Sequence, residues 1–515
     1  MFHNSTIVLL EITAAISIGL IAYFKWNLTH WQRLGIPTLN PTIPFGDSKK
    51  LFYGHYSLGE QFQQFYRYFR SKGHRHGGAY LGVKPYYIPI DLDIIKHILL
   101  TDFDHFTTRG LYMDEKNDPL SANLFCLKDQ KWKDMRTQFT PTLTSGKMKM
   151  MFDILVEVSE EFKSTIDEYA TSGEVFEAKD VSGRFSTDVI GSIAFGIKCS
   201  CLKNRESPFW KYAQRVFNDT PLERIIVLTH HALPHKLLRL IKYKVTKPDV
   251  EKFFMDTVRN IVAHREKNKI YRNDFMQSLL KLKNAEKVTE QITDESEKLS
   301  QQPLTLAQIA TQVFSFLVGG LETTSSTMTC ALYELALNPK IQNELRNEIN
   351  SVVFQHDNEL TYAGVMEMKF MDKVLCETLR KYPSIPVIPR RCTKDYKIPQ
   401  TDIILKKGTN VFIPLLGLHY DDEYYPDPEV FDPERFSEEN KKTRPPLTWL
   451  AFGDGPRVCI GSRFGMLQAK MALMILLKHY KISVNKKTSF PIKFDKHVVT
   501  TSVQDGVWLN VEKLN

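Results

Sequence analysis

Phe452-Gly453-Asp454-Gly455-Pro456-Arg457-Val458-Cys459-Ile460-Gly461 is a glycine-punctuated loop that presents one cysteine, near the end of a chain of 515 residues. A lone arginine stands just before the cysteine, and a helix-like run from Ser462 to Leu477 follows. This is the layout expected of a thiolate ligand on a haem iron. A thiolate in an apolar pocket stays deprotonated only with a metal beside it and backbone N–H groups aimed at the sulfur. Gly455 and Gly461 allow left-handed dihedrals and a close approach of the backbone to a flat macrocycle. On this reading Cys459 is the metal ligand, Phe452 covers the sulfur side, Arg457 meets a propionate, and Gly453 belongs to the same cofactor-binding stretch.

The pattern Phe-x-x-Gly-x-Arg-x-Cys-x-Gly resembles the haem-binding signature of the cytochrome P450 family. An ordinary buried cysteine beside a turn is the alternative, and further motifs in the family's order weigh against it. Trp132-x-x-x-Arg136 lies in a predicted helix, Gln130 to Thr137, with both side chains facing one way a turn apart. In the family a similar Trp and Arg hold one haem propionate, since an indole N–H and a guanidinium fork both suit a carboxylate. A long helix opens at the capping box Thr305-x-x-Gln308 and runs to Asn338-Pro339, a rod of roughly 50 Å. In its middle stands Gly319-Gly320-Leu321-Glu322-Thr323-Thr324. Two glycines inside a helix cost about 1 kcal/mol each relative to alanine, so they need a reason.

A groove for dioxygen is one reason, with Thr323 opening a backbone hydrogen bond; a pair of helix-packing glycines is the other. The motif resembles the family's oxygen-activation signature, in which alanine is commoner at the Gly319 position. The resemblance gives Gly320, Glu322 and Thr323 catalytic roles: Glu322 relays protons and Thr323 orders the water that passes them on. Glu377-x-x-Arg380 sits on a helix that Lys381-Tyr382-Pro383 ends, and Pro433-Glu434-Arg435-Phe436 lies downstream in a Pro- and Asp-rich meander. Its family counterpart is a buried Glu-Arg-Arg cluster. Pro386-Val387-Ile388-Pro389-Arg390 resembles the turn and strand that line the substrate cavity, with Arg390 on a haem propionate and Arg391 still open for that role.

Thr6 to Phe24 is nearly continuously apolar, interrupted by Glu11, and is long enough to cross a bilayer. Basic residues follow it and none precedes it, which places the downstream chain in the cytoplasm. A cleaved signal peptide would need a positive n-region and a small-residue cleavage site, both missing. Trp26, Trp31 and Arg33 suit a membrane interface, and Gly35-Ile36-Pro37 with Pro41 and Pro44 reads as a stiff spacer. The expected division is an anchor at 1–25, a proline-containing linker at 26–50 and a catalytic domain at 51–515. Short strands are predicted at Gly78 to Ile90, Asp402 to Ile413 and His497 to Val511, and Asn284 to Pro303 reads as a polar surface linker. Leu233 to Lys242 carries apolar and basic residues, which fit either a second membrane contact or core-facing leucines with extended cations.

A hydrophobic content of 43% with 25% charged residues excludes disorder and little else. The net charge of +9 suits an anionic membrane or an acidic partner and equally an ordinary soluble surface. Seven dispersed cysteines do not make a secreted disulfide framework, and Cys199-x-Cys201 reads as structural. The fold class expected is mainly α with a minor β region, one large P450-type haem domain behind an N-terminal membrane anchor.

Details such as Asp102 to Phe106 and Tyr425-Pro426-Asp427-Pro428 look most like the insect microsomal, xenobiotic-metabolising branch. The resemblance implies haem b and a monooxygenase driven by NADPH through NADPH-cytochrome P450 reductase, with a b-type cytochrome as a further electron donor. It also implies a lipophilic small-molecule substrate, the endoplasmic reticulum membrane with the domain on the cytoplasmic face, and no nucleic acid. Lys128, Lys131 and Lys133, extended by Lys147 and Lys149, read either as the basic surface that receives the acidic reductase or as the wet side of an amphipathic helix. A haem-thiolate isomerase and a non-catalytic haem carrier are the rivals; the intact Glu322-Thr323 pair argues against the first, and a long oxygen-groove helix has no use in the second.

Overall fold

The computed structural model describes residues 2–220, 222–224, 226, 233–284 and 303–514, without the side chains of residues 2–6, 8 and 9. The helices that position the site are α1 (Phe2–Leu28), α2 (Leu58–Ser71), α3 (Asp129–Phe139), α4 (Phe152–Ser172), α5 (Ala178–Ile190), α6 (Pro248–Asn268), α7 (Leu306–Leu337), α8 (Pro339–Gln355), α9 (Lys369–Lys381) and α10 (Ser462–His479). The strands are β1 (His76–Leu81), β2 (Lys84–Pro89), β3 (Phe176–Glu177), β4 (Ile388–Arg391), β5 (Tyr396–Lys397), β6 (Ile404–Leu405), β7 (Asn410–Ile413), β8 (Tyr480–Val484) and β9 (Trp508–Lys513). The fold is mainly α with a minor β region, as expected.

Helix α7 is the axis. The Thr305 hydroxyl accepts from the Gln308 amide at 3.2 Å while Gln308 Oε1 accepts from the Thr305 amide at 2.9 Å, so the predicted capping box is formed. Asn338 ends the helix and Pro339 starts α8, because a proline lacks the N–H that would extend α7. Most of α7 is buried, with α5, α6, α9 and α10 packed along it. These helices and α4 enclose the larger apolar core, and a second core lies between α2 and the main sheet.

That sheet has the order β1-β2-β7-β4, parallel only between β2 and β7. Arg390 lies opposite Val411 in the β4–β7 pairing. A second sheet, β3-β9-β8, uses the chain terminus, and β5 pairs with β6 as a small hairpin. Of the strand predicted over His497 to Val511 only the end is extended, as part of β9. The preceding residues make loop contacts instead, such as Thr501 to Pro383 and Ser384. The predicted strand over Gly78 to Ile90 resolves into the hairpin β1–β2, and that over Asp402 to Ile413 into β6 and β7. The predicted polar linker falls almost wholly on residues 285–302, outside those described.

Two N-terminal expectations change. Trp31 is fully buried, not set at an interface: its Nε1–H donates to the Ala79 carbonyl at 3.3 Å and its ring occupies the space that a Cβ at Gly78 would need. Pro37 O accepts from Gly78 N at 2.8 Å, so the first part of the proline-containing segment is docked on β1. Trp26 stays exposed, with the Arg33 guanidinium 3.7 Å from its ring centre. Helix α1 exposes Leu10, Ile12, Ile16, Ile18, Leu20 and Ile21. Among the described residues no helix is long and apolar enough to cross a membrane. In the Leu233 to Lys242 segment, which forms a short helix at His235–Leu240, Leu238 is buried while Leu237, Leu240 and Ile241 are exposed.

Candidate active site

The cysteine loop is set by backbone bonds. Gly453 N donates to Leu450 O at 2.7 Å and Cys459 N to Phe452 O at 2.9 Å, folding Phe452 to Cys459 back on itself. Gly455 has φ +73, and a Cβ there would stand 2.0 Å from the Leu99 carbonyl oxygen, so only glycine fits. A Cβ at Gly453 or at Gly461 would meet nothing within 4 Å. Cys459 is exposed, yet protein surrounds it on nearly every side, so its sulfur opens on an interior space. Burial raises its thiol pKa; the amides of Gly461 and Ser462 and the charges of Arg109 and Arg136 pull it back down without prevailing. Such a thiol needs a metal to become a thiolate at neutral pH.

Around this space stand four guanidinium groups. Arg390 and Arg457 are buried, Arg109 and Arg136 half-buried, and among the described residues none of the four is ion-paired with a carboxylate. Arg457 lies 4.1 Å above the Trp132 ring and donates to the carbonyls of Thr107 at 2.7 Å and Leu127 at 2.6 Å. Among the described residues Arg390 Nε has no hydrogen-bond partner. Burial, followed by repulsion from the other arginines, presses Arg390 down to about 9 and Arg457 to about 8. Burial likewise lowers Arg109 to about 10 and lowers Arg136. Guanidinium groups keep their protons in proteins, so the cluster calls for negative charge from outside the chain. A flat macrocycle carrying two carboxylates and an iron supplies that charge and a partner for Cys459. The residues present fit haem.

Strand pleating settles which of two neighbouring arginines faces the space. Along β4 burial alternates, so Arg390 points in while Arg391 points out and donates to the Gly408 carbonyl at 2.9 Å. Arg109 was not foreseen from the sequence. Its signal is a lone cation in the stretch Phe106 to Tyr112, with no acid at a helical or strand spacing to pair with it.

On the other wall, α7 is continuous through Gly319 to Thr324, and the Thr323 hydroxyl donates to the Gly319 carbonyl at 2.6 Å. The two glycines part company. A Cβ at Gly319 would meet nothing within 4 Å, whereas one at Gly320 would stand 2.9 Å from Ile190 Cδ1 on α5. Gly320 therefore lets two helices approach, and the open side belongs to Gly319 and Thr323. Glu322 faces α5, where Lys179 Nζ reaches its Oε1 at 2.8 Å. Thr324 meets α10 near Gly465, which ties this stretch to the helix that follows the cysteine loop.

The Glu-Arg-Arg cluster forms as expected. Arg380 grips Glu377 with two hydrogen bonds of 2.7 and 2.8 Å, both side chains fully buried, and Arg435 Nε stands 3.5 Å from the same carboxylate. It connects to the cysteine loop through a residue the sequence did not single out. His419, fully buried, shares its Nδ1–H with the Arg380 carbonyl at 3.0 Å and accepts from the Leu450 amide on Nε2 at 3.1 Å. The Leu450 carbonyl in turn receives Gly453 N. With Arg380 Nη1 also on the His419 carbonyl at 3.1 Å, α9, the meander and the loop are one hydrogen-bonded unit.

The family model described as Cytochrome P450 matches residues 44–508. The chain belongs to the cytochrome P450 family. Among similar proteins, cytochrome P450 6A1 of Musca domestica is 39% identical over 502 residues, covering 96% of each chain. Cytochrome P450 6a2 of Drosophila melanogaster is 39% identical over 511 residues, 98% of this chain and all of its own length. Probable cytochrome P450 6a23 of the same fly is 40% identical over 488 residues. The relatives are insect proteins, in agreement with the branch expected from the sequence. A P450 is a haem monooxygenase, and that enzyme class holds for this chain.

Proposed function

We propose that this P450 inserts one oxygen atom of dioxygen into a lipophilic small molecule, a xenobiotic, plant toxin, insecticide or endogenous lipid, with electrons from NADPH delivered through NADPH-cytochrome P450 reductase. The observation that carries the reading is the set of four arginines with no ion-paired carboxylate among the described residues, gathered around one cysteine whose sulfur receives backbone amides. Haem b, when bound, supplies the activation of dioxygen. Cys459 holds the iron, with Phe452, Gly453 and Gly461 shaping the loop beneath it. Trp132, Arg136, Arg390 and Arg457, joined by Arg109, hold the propionates.

Gly319 leaves room beside α7, the Thr323 hydroxyl orders water there, and Glu322 passes protons toward it. Gly320 contributes by letting α7 lie close to α5. The anchor at 1–25, linker at 26–50 and catalytic domain at 51–515 belong to the same proposal, with the domain on the cytoplasmic face of the endoplasmic reticulum. Support comes from the apolar run Thr6 to Phe24 and from the outward leucines and isoleucines of α1 and of the Leu233 to Lys242 segment.

In purified, reconstituted enzyme, NADPH consumption and product formation should depend on added reductase. Replacing the ligand, Cys459→Ala, should abolish both product and the red-shifted Soret band of the ferrous carbonyl complex. A Cys459→Ala protein that kept that band would remove Cys459 from the iron.

A further inference from the structure

Helix α7 holds its only glycines at 319 and 320, and just beyond them the Thr323 hydroxyl donates back to the Gly319 carbonyl. Glycine is a poor helix former, and a hydroxyl bonded four residues back bends the helix that carries it. The stretch that forms the open groove is therefore the one least able to keep its own course, yet α7 runs through it unbroken. Support comes from outside the helix. The Thr323 carbonyl accepts from Thr327 Oγ1 at 2.8 Å and from Ser384 Oγ at 3.2 Å, and the two hydroxyls stand 3.1 Å apart. Each hydroxyl has one proton to give, and however the two are shared Ser384 stays bonded to α7. Both side chains are buried, so bulk water does not compete for these bonds.

Ser384 lies in the turn between α9 and β4, the strand that carries Arg390. That turn is fastened without its hydroxyl. Tyr382 OH donates to Glu334 Oε1 at 2.5 Å, Leu416 N to the Pro386 carbonyl at 3.1 Å and Thr501 N to the Ser384 carbonyl at 3.0 Å. On the α2 side Pro386 packs so closely over Gly59 that a Cβ there would stand 2.7 Å from it. The hydroxyl is thus spare for the turn, and the helix is the partner that needs it. We propose that Ser384 is a positioning residue for Thr323: a turn held on three sides braces α7 through one hydroxyl, and so keeps the Thr323 hydroxyl in place on the open side of the groove. The inference rests on the role given to Thr323 above. It also gives the groove and Arg390 a common anchor, since the same turn leads into β4. A bond that only fastened the turn would leave α7 unchanged when lost.

The full-length holoenzyme carries the test, as Ser384→Thr, Ser384→Val and Ser384→Ala, each quantified by its ferrous carbonyl band. Threonine and valine have nearly the same shape, so the contrast between them isolates the hydroxyl from the volume. Hydrogen exchange is followed by mass spectrometry on peptides covering 319–327 and 383–391, and the infrared C–O stretch of the ferrous carbonyl complex reports the groove itself. In the valine and alanine proteins residues 319–327 should exchange about two- to ten-fold faster, the range expected for one lost hydrogen bond, while 383–391 stay as in wild type. The C–O band should broaden or split in the same two proteins, and threonine should restore both readouts. Should the valine variant not fold, alanine alone supplies the arm without a hydroxyl. Threonine and valine proteins that behave alike, or faster exchange confined to 383–391 with an unchanged C–O band, overturn the role of Ser384. A Thr323→Ala enzyme with wild-type product yield per NADPH overturns the relay, and with it the catalytic purpose of the brace, whatever the exchange shows.

Discussion

His419 gives the protein a measurable acid sensitivity. Burial, with the Arg380 charge as the second cause, lowers its pKa from 6.5 to about 3, so the folded protein keeps it neutral. In the unfolded chain the imidazole takes a proton near its ordinary pKa. A depressed folded-state value means that the stabilisation is complete above pH 6.5 and is lost progressively as pH falls toward 3. Between pH 6.5 and 5 the excess of protons on the unfolded state rises from about half to nearly one, which costs about 1.7 kcal/mol by linkage. That figure is insensitive to the folded-state value so long as it lies well below 5. His419→Gln should remove this slope. It should also lower stability at pH 7 by about 1–3 kcal/mol, because the Leu450 amide and the Arg380 carbonyl lose a well-shaped partner. The assay is the urea midpoint, read by tryptophan fluorescence at several pH values between 5 and 7 for both proteins. Burial also lowers His76 to about 4, so only the difference between the two slopes counts. Equal slopes would mean that His419 is not a buried neutral imidazole, and the bridge drawn from α9 to the cysteine loop would fail.

Glu377→Ala leaves Arg380 buried with carbonyl partners only, and should cost about 3–5 kcal/mol with loss of haem content, whereas Glu434→Ala, which breaks the exposed pair with Lys373, should cost under about 1 kcal/mol; thermal melts of both variants check the contrast. Thr323→Ala should bind haem and substrate normally while diverting electrons to peroxide, so a wild-type product yield per NADPH would remove the hydroxyl from the relay. Lys131→Glu with Lys133→Glu should slow first-electron transfer from the reductase at low salt, with the difference shrinking as salt rises over a screening length of ~8 Å. The effect is blunted at both sites, since Lys131 already pairs with Glu115 at 2.6 Å and Lys133 lies 3.7 Å from Asp104; unchanged stopped-flow kinetics would place docking elsewhere.

What the sequence disclosed were features written in local spacing. The capping box at Thr305, the i,i+3 pair Glu377–Arg380 and the left-handed Gly455 each constrain a few neighbouring residues, and each appears as read; Gly461, expected to share that conformation, has φ −94 and open space beside it. Orientation across elements was a different matter. Gly319 and Gly320 are adjacent in sequence, yet one faces open space and the other Ile190, because the partner helix and not the motif decides which glycine is needed for approach. Trp31 reads as an interface residue by composition and becomes a core residue because β1 offers Gly78 beneath it. Arg109 and His419 join no local pattern at all; their roles arise from chain segments that meet only after folding. Strand β8, with Tyr480 and Ile482 buried on alternate positions, was not among the strands read from the sequence.

Gly455 has one more implication, for how the molecule is assembled. Its φ and its approach to the Leu99 carbonyl seat the cysteine loop on the helical segment His97–Thr101, roughly three hundred and fifty residues earlier, and Arg457 fastens the same loop to Thr107 and Leu127. Contacts that span so much chain are slow to form, since the loop-closure entropy is lost before any of them is gained. Synthesis from the ribosome makes the delay longer, because the thiol emerges long after the segments that carry Leu99, Thr107 and Leu127. The cofactor is therefore received by a nearly finished shell, and a variant that weakens this late docking should accumulate as folded but colourless protein.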